Sequence, residues 1–441
     1  MPHRLSTADP DFPDRFAAFL AVRREPEADV RAVVAGILAD VRARGDEAVC
    51  AYTRRFDAVE VTPETLRIRD DEIAAAAAAV PEDQHEALRL AAARIEAFHR
   101  RQMPEDSAYV DDSGIGLGSR WTAIAAVGVY VPGGLAAYPS SVLMNVIPAR
   151  VAGVERIAMA VPTPRGRLSP LVLAAARLAG VGEIYRIGGA QAVGALAYGT
   201  ASVAAVDKIV GPGNAYVAEA KRQVFGTVGI DMIAGPSEIL VVADGRNDPG
   251  WIAADLLSQA EHDAVAQSIL VTDDAGFAEA VERAIQGHLT TLETRARAAA
   301  SWRDHGAVIR VGTLAEAPAL IDRIAPEHLE LAVAEPEALL RKVRNAGSVF
   351  LGRYTPEAVG DYVAGPNHVL PTGRSARFSS GLGVLDFVKR TTFVHCDAGG
   401  LAAVGRAAMT LAAAEGLPAH ALSLGIRLNL PSPGPARTDE P

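Results

Sequence analysis

From Ile124 onward, short runs rich in β-branched residues alternate with segments that carry apolar residues at helical spacing. A first series predicts strands at 124–131, 156–161, 184–187 and 208–210, with helices at 169–179, 190–198 and 214–225. A second series predicts strands at 238–242, 268–271, 308–311, 329–333 and 348–351, with helices from Asp248 to about 262, at 277–288 and at 292–302. Such alternation predicts parallel sheets with helices on both faces. The expected fold class is therefore α/β, with two doubly wound, Rossmann-like halves.

The remaining segments differ in character from this alternating part. Residues 28–103 carry a helical pattern that includes the strongly helix-forming alanine run 74–79. The last residues are rich in proline and almost free of apolar side chains, which predicts disorder. In chain order we expect an N-terminal arm (1–27), a helical region that packs with the second α/β half (28–123), a first Rossmann-like domain (124–236), a second one (237–381), a C-terminal helical unit (382–430) and a disordered tail (431–441).

Composition excludes several classes of function. The chain has 441 residues and a net charge of −10 without a basic stripe, so we expect no binding to nucleic acid. No apolar run reaches about 18 residues, and residues 1–15 lack an apolar signal region, so we expect no membrane span and no secretion. Cys50 and Cys396 are the chain's two cysteines, too few for a disulfide framework or a cysteine-based zinc site. A cytoplasmic protein is expected.

Three predicted strand ends carry small or glycine residues that suit an approaching phosphate. They are Tyr130 with the following Pro-Gly-Gly134, the segment 188–191 that ends in Gln191, and the segment 211–214 that ends in Asn214. In doubly wound sheets, ligands bind beyond the carboxyl ends of strands, where glycines and helix N-termini attract anions. None of the three is a GxGxxG motif, so ordinary strand-to-helix turns remain an alternative at this point.

Polar residues that could form a metal or acid–base site are scattered over the second half. Gln259 and His262 are three residues apart on one predicted helix, so they share a face, although such pairs are commonly solvated. Glu327 and His328 precede a predicted strand. Further candidates lie in segments broken by glycine or proline: Asp361, His368, Glu415 and His420. Each segment alone is more often structural than functional.

Long stretches of the chain resemble the histidinol dehydrogenase family. The similarity runs through 230–243, 256–263, 325–331, 365–372, 378–382 and 415–420, and it extends over roughly residues 20–430. The resemblance implies an enzyme that oxidises L-histidinol to L-histidine through L-histidinaldehyde at the end of histidine biosynthesis. It implies two NAD per turnover and one Zn²⁺ per subunit. It also implies a homodimer in which the C-terminal unit crosses to the partner and completes a shared active site.

The same resemblance assigns roles to individual positions. Glu327 and His328 match the catalytic acid–base pair. The positions that match NAD contacts are Tyr130, Gln191 and Asn214. The positions that match zinc ligands are Gln259, His262, Asp361 and His420. The positions that match substrate contacts are Ser237, Gln259, His262, His328, Asp361, His368, Glu415 and His420.

The chemistry of this reaction suits the assigned residues. Each of the two hydride transfers needs a base for a hydroxyl proton, and a histidine with a pKa near 6.5 serves at neutral pH. We assign His328 to that role, and Glu327 to activating the water that attacks the aldehyde. Two nitrogen and two oxygen ligands would accept zinc, manganese, cobalt or nickel, so zinc follows from the resemblance. The ion would orient the substrate, because zinc has no redox chemistry.

Three other readings compete with this one. A related zinc-dependent alcohol dehydrogenase could act on another small polar alcohol, such as a sulfopropanediol, but it should have altered substrate contacts. A metal-dependent hydrolase could use Glu327 to drive water onto a carbonyl, yet it would not need the strand-end loops. A metabolite-binding protein without activity would be expected to lose its base, whereas His328 is present.

Overall fold

The computed structural model of the chain describes residues 2–21, 29–133 and 138–431. Its strands, in chain order, are β1 (His3–Ser6), β2 (Ser107–Val110), β3 (Gly116–Ala123), β4 (Ala126–Tyr130), β5 (Arg156–Ala160), β6 (Glu183–Tyr185), β7 (Lys208–Val210), β8 (Gly229–Ile230), β9 (Glu238–Ala243), β10 (Gln267–Thr272), β11 (Ala307–Arg310), β12 (His328–Ala332), β13 (Ser348–Leu351) and β14 (Val388–His395). Its α-helices are α1 (Phe12–Ala21), α2 (Asp29–Arg44), α3 (Asp46–Asp57), α4 (Pro63–Leu66), α5 (Asp70–Ala78), α6 (Glu82–Arg100), α7 (Pro139–Val151), α8 (Pro170–Ala179), α9 (Gly189–Tyr198), α10 (Ala215–Val224), α11 (Pro249–Ala260), α12 (Ala275–Leu289), α13 (Arg295–His305), α14 (Ala317–Ile324), α15 (Pro336–Leu340), α16 (Glu357–Tyr362), α17 (Ala398–Ala414) and α18 (Pro418–Leu428). Among the described residues, no helix combines the length and the apolarity that crossing a membrane requires.

The first series of strands forms a parallel sheet in the order β6-β5-β4-β7-β8. Strand β4 is buried along its whole length, as expected for a parallel strand with helices on both faces. Helices α7 and α9 both contact β4. Every strand and helix predicted in this series is present, with ends that differ by two residues at most. The first doubly wound half is therefore confirmed.

The second series forms another parallel sheet, in the order β1-β11-β10-β9-β12-β13. Successive side chains of β9 point to opposite faces, with Leu240 and Val242 in one apolar core and Ile239 and Val241 in the other. Asp248 caps α11 by accepting from the N–H of Gly250 at 2.7 Å, as its position before proline predicts. The second doubly wound half is therefore also confirmed.

The N-terminal segments are more closely built into these halves than expected. The arm contributes strand β1 at the edge of the second sheet, and Phe16 of α1 is fully buried in that core. In the region 28–123, helix α2 packs mainly against α9 and α10 of the first half. This corrects the expectation that the whole region packs with the second half. Helix α6 does contact the second half, where Arg94 donates to the carbonyls of Val363 and Ala364.

A second compact unit consists of Pro104–Ala123 and the chain from Val388. Its strands form an antiparallel sheet in the order β14-β3-β2, and α17 packs against α18. This corrects the expectation of an all-helical C-terminal unit beginning at 382, and it moves 104–123 out of the helical region. The exposed faces of β2 and β14 explain the miss, because neither strand shows a regular apolar alternation. Of the predicted tail, residues 432–441 lie outside the described residues.

Candidate active site

Glu327 and His328 stand where β12 begins, beside the first residue of β9. Helix α14 ends at Ala325 with a left-handed backbone (φ 48°), so the chain turns into Pro326 and Glu327 before the strand. The Glu327 carboxylate accepts from the N–H of Glu238 through Oε2 at 2.9 Å. Burial raises the pKa of Glu327 well above its ordinary value, against this hydrogen bond. Glu327 is thus a buried carboxyl group that takes up a proton readily.

The hydrogen bonds of His328 define its tautomer. Its Nδ1 lies 3.0 Å from the carbonyl oxygen of Glu238, and a carbonyl only accepts, so Nδ1 carries the proton. Nε2 is then left with a lone pair, and it is buried without a hydrogen-bond partner in the described part of the chain. Burial lowers the pKa of His328 to about 4, although the nearby Asp361 raises it. His328 is therefore neutral at physiological pH and ready to accept a proton at Nε2.

Helix α16 brackets the imidazole of His328 with two carboxyl groups one turn apart. Oε1 of Glu357 lies 3.2 Å from Nδ1, and Oδ1 of Asp361 lies 3.7 Å from Nε2. Gly360 permits this approach, since a Cβ there would lie 2.3 Å from the ring of Phe350, which itself stacks on His328 at 6.1 Å. Asp361 was predicted from sequence, whereas Glu357 was missed. The spacing of four residues before Asp361 was the available signal.

Gln259 and His262 lie at the end of α11, next to Ser258, whose hydroxyl is 3.4 Å from Oε2 of Glu357. The Gln259 side chain is fully buried, its Nε2 lies 3.2 Å from Nδ1 of His262, and its Oε1 has no partner among the described residues. The helix ends at Ala260, so His262 follows in a turn and is exposed. A protonated His262 would lower the pKa values of both His328 and His368. The predicted pair is therefore in mutual contact, and its place in a common site stays a prediction.

His368 and Ser237 border this region on two loops. Nδ1 of His368 donates to the backbone carbonyl of Asp361 at 3.0 Å, and burial lowers the pKa of His368. Ser237 is half-buried, directly precedes β9, and accepts through its carbonyl from the N–H of Gln267 at 2.9 Å. The side chain of His368 is therefore held at Asp361, and the backbone of Ser237 is held at the start of β9.

Two sets of donor atoms could hold a metal ion. Gln259, His262 and Asp361 offer an amide oxygen, an imidazole nitrogen and a carboxylate oxygen, and the orphaned Oε1 of Gln259 is a buried acceptor awaiting a donor or a cation. A second possible group is His328, Glu357 and Asp361, whose ligand atoms lie within 4.8 Å of one another. The two groups share Asp361. They differ in whether His328 stays free to act as a base.

The three strand-end loops predicted for a nucleotide lie at the carboxyl ends of β4, β6 and β7. Tyr130 ends β4, and its buried hydroxyl accepts from the N–H of Gly189 at 3.1 Å, which ties two of the loops together. Gln191 is almost fully buried, and its Oε1 has no partner in the described ranges. Asn214 is exposed and caps α10 by accepting from two backbone N–H groups. Gly134 of the predicted loop lies outside the described residues.

A buried ion pair that the sequence reading missed supports the third loop. Lys221 of α10 and Asp231 pair with side-chain exposures of 2% and 0%. Lys221 also donates to the carbonyl of Gly211 at 2.9 Å, while Asp231 accepts from the N–H of Gly211 at 2.7 Å. Gly211 has φ +105°, and a Cβ there would lie 2.1 Å from the carbonyl oxygen of Tyr130. Lys221 and Asp231 therefore bind the carbonyl and the N–H of Gly211, a position that requires glycine.

A second buried pair unites two carboxyl groups behind the site. Glu330 of β12 is 1% exposed and shares a side-chain hydrogen bond with Asp255 of α11. Burial and the neighbouring Asp255 raise the pKa of Glu330 to about 9, and burial raises the pKa of Asp255 to about 6. The two carboxyl groups thus retain a proton between them at neutral pH.

Glu415 and His420 belong to the second unit, and both are exposed there. Glu415 is the C-cap of α17, and Gly416 follows with φ +72°, as predicted for the end of that helix. His420 lies within the first turn of α18, which begins at Pro418, rather than in a proline turn. Both residues are accessible to an approaching molecule.

The two halves present their candidate residues at opposite strand ends. Tyr130 and the loops at Gln191 and Asn214 follow carboxyl ends, as the rule for doubly wound sheets predicts. Glu238 and His328 are the first residues of β9 and β12, so the acid–base pair stands at the amino ends of the second sheet. The candidate loops of the first half therefore lie where the rule places ligands, whereas Glu327 and His328 lie at the end of the second sheet that the rule does not favour.

Known proteins resemble the chain over almost its whole length. The family model described as histidinol dehydrogenase matches residues 21–428. Histidinol dehydrogenase of Rhodospirillum rubrum is 67% identical over 430 residues, which covers 97% of this chain and 99% of that protein. The corresponding protein of Ruegeria pomeroyi is 63% identical and covers 97% of this chain and 99% of its own.

A solved structure extends the similarity from sequence to fold. The crystal structure of histidinol dehydrogenase from Elizabethkingia anophelis has a TM-score of 0.93 at 35% sequence identity, covering 97% of this chain and 98% of that one. These matches give no support to a relative that acts on a sulfopropanediol. The chain belongs to the histidinol dehydrogenase family.

Proposed function

We propose that the chain oxidises L-histidinol to L-histidine through L-histidinaldehyde, reducing two NAD and consuming one water per turnover. The single observation that supports this most strongly is the bracketed, neutral His328 with a free Nε2, next to the buried Glu327. Both oxidations need a base that is unprotonated at neutral pH, and this ring satisfies that need. Family membership supports the choice of substrate.

The proposed cofactors are NAD and one Zn²⁺ per subunit. When bound, NAD accepts the hydride of each oxidation, and the zinc ion acts as a Lewis acid that orients the polar groups of the substrate. We assign the ion to Gln259, His262 and Asp361, because Nδ1 of His328 already donates to Glu238 and Nε2 is needed as the base. Tyr130, Gln191 and Asn214 would contact NAD from the three strand-end loops, as the rule for doubly wound sheets leads us to expect.

His328 performs the same step in both oxidations. Its Nε2 removes the hydroxyl proton of the alcohol, and later that of the hydrated aldehyde, while the carbinol hydrogen leaves as hydride. The Nδ1–H donates to the Glu238 carbonyl in both steps, so the same tautomer presents the lone pair of Nε2 each time. Burial lowers the pKa of His328 to about 4, so the ring returns its proton readily between the two steps.

Glu327 acts between the two oxidations. Its ionised form would accept a proton from the water that attacks the aldehyde carbon, giving the hydrated aldehyde. The raised pKa of this buried carboxyl makes it a stronger base than an exposed glutamate. The N–H of Glu238 donates to Oε2 and so orients the Glu327 carboxylate. Ser237 and His368 would contact the substrate at the edges of the site.

The active site is proposed to be completed by a second copy of the chain. Glu415 and His420 are exposed in the second unit, so they are available to a partner. In a homodimer, His420 would supply the fourth zinc ligand and Glu415 a substrate contact in the neighbouring subunit. A cytoplasmic location is part of the proposal, and the free thiols of Cys50 and Cys396 agree with a reducing compartment.

The stoichiometry of NADH tests the proposal. Purified, zinc-loaded protein is mixed with limiting L-histidinol and excess NAD, and the absorbance of NADH is followed to completion. Two NADH per histidinol, with histidine as the product, are expected. One NADH with accumulating aldehyde, or none with zinc bound, would overturn the proposal. The matched control is His328→Gln, which keeps the volume and an amide N–H but lacks a basic nitrogen, and should produce almost no NADH.

A further inference from the structure

A buried carboxyl group stands beside His328 without a role in the reaction as described. Glu357 begins α16, is 2% exposed, and places Oε1 3.2 Å from Nδ1 of His328. That oxygen has no hydrogen-bond partner among the described residues. Leaving a buried acceptor unsatisfied is costly, so such an atom calls for an explanation. Nδ1 of His328 lies within reach of it, but the Nδ1–H is directed at the carbonyl of Glu238.

The surroundings of Glu357 fix the position of its carboxyl group. Its second oxygen, Oε2, is 3.4 Å from the hydroxyl of Ser258 on α11, which can donate to it. Its helix is held close to β13 by Gly360, whose missing side chain makes room for Phe350. Phe350 in turn packs on the imidazole of His328. The carboxyl group and the ring that it faces are therefore held by the same packing contacts.

We propose that Glu357 is a positioning residue for the base: Oε1 is available to the Nδ1–H of His328 when the ring turns away from the carbonyl of Glu238, and it thereby confines the ring so that Nε2 faces the reacting carbon. One carbonyl fixes the tautomer but allows the ring to swing about the Cβ–Cγ bond. A second acceptor 3.2 Å from the same nitrogen restricts that swing. Small errors in the placement of a base cost one to two orders of magnitude in rate.

This role differs from two others that the position would permit. A metal ligand at Glu357 would require a charged oxygen and would change the zinc content when replaced. A proton-transferring group would require an ionisable oxygen. A positioning acceptor requires neither, so the amide oxygen of glutamine at the same place should serve, whereas a shorter carboxylate should not reach.

The test compares Glu357→Gln with Glu357→Asp in the zinc-loaded protein, using histidinol and its analogue deuterated at the carbinol carbon. Glu357→Gln should keep most of the wild-type kcat. Glu357→Asp should lose about 10- to 100-fold in kcat for both half-reactions, with an increased deuterium isotope effect and an unchanged KM for NAD. Loss of folded protein alone would lower kcat without changing the isotope effect, so the two causes are separated.

Several outcomes would overturn the assignment. Zinc loss in Glu357→Gln would make the residue a ligand, and a greater loss of kcat in Glu357→Gln than in Glu357→Asp would make charge or proton transfer its function. Wild-type behaviour of both variants would leave it without any role. The inference rests on His328 being the base of the proposed reaction. Failure of that function appears separately, as missing NADH in the unaltered protein.

Discussion

Removing the amino group of Lys221 should both destabilise the protein and weaken NAD binding. The Lys221→Met variant keeps the aliphatic stem of the side chain but leaves Asp231, whose side chain is 0% exposed, as a buried charge without its partner. It also removes the donor to the Gly211 carbonyl. Breaking a buried pair by removing one partner costs about 3–5 kcal/mol. The loop at Gly211 would lose its fixed conformation at the same time.

Lys208→Met is the matched control, because it makes the same substitution at a neighbouring lysine. Lys208 pairs with Asp386 at 3.2 Å, with side-chain exposures of 15% and 33%, so solvent screens this pair more and its loss should cost about 1 kcal/mol. Urea unfolding followed by circular dichroism measures the stability, and titration calorimetry measures NAD affinity. We expect the Kd for NAD to rise about tenfold or more in Lys221→Met, equivalent to about 1.4 kcal/mol, and to stay unchanged in Lys208→Met. A Lys221→Met protein that unfolds at the same urea concentration as Lys208→Met and binds NAD with the wild-type Kd would refute the reasoning.

Three further results are expected. Replacing Glu330 by glutamine should raise the melting temperature by a margin that grows from pH 5 to pH 8. The pKa of Glu330 is raised to about 9 in the folded chain, so between its ordinary pKa and that value the folded wild-type protein keeps a proton that the unfolded chain has lost. The wild-type protein therefore loses about 1.4 kcal/mol of stability per pH unit over this range, and the glutamine variant does not. A difference that does not vary with pH would contradict this. Glu327→Gln should slow the oxidation of histidinaldehyde more than its reduction to histidinol, because only the oxidation needs the activated water; equal losses in single-turnover assays would remove Glu327 from that role. Mixing inactive His328→Ala with inactive His420→Ala should restore part of the activity if subunits share sites, and hybrids that form but remain inactive would argue against sharing.

The two parallel sheets were predictable because their strands are buried on both faces. Strands such as β4 and β9 appear in the sequence as continuous apolar runs between helices, a pattern that few other structures produce. The edge strand β1 and the antiparallel β2, β3 and β14 have mixed or exposed faces, so no such run marks them. Their pairing depends on partners that are distant in sequence, which local patterns do not reveal.

The candidate site was predictable in its members but not in its arrangement. The spacing of Gln259 and His262 predicts side chains that are neighbours on one helix; the two side chains do meet, but α11 ends at Ala260 and His262 lies in the turn that follows. Glu357 stands four residues before Asp361, but this signal is weak, since an acidic residue at the start of a helix is common and is explained by the helix dipole. The position of Glu357 beside His328 depends on packing. Gly360 lets α16 approach Phe350, and that approach places the carboxyl group at His328. The grip of Lys221 and Asp231 on Gly211 likewise joins residues that sequence spacing does not relate.

The position of a bound zinc ion tests the central claim, that one cation sits beside a histidine which remains free to act as the base. Crystals of the protein grown with zinc and measured on both sides of the zinc absorption edge would locate the ion by anomalous scattering. We expect a peak coordinated by Gln259, His262 and Asp361, with Nε2 of His328 outside coordinating distance. A peak coordinated by His328 and Glu357 would contradict it, because the proposed base would then be a ligand.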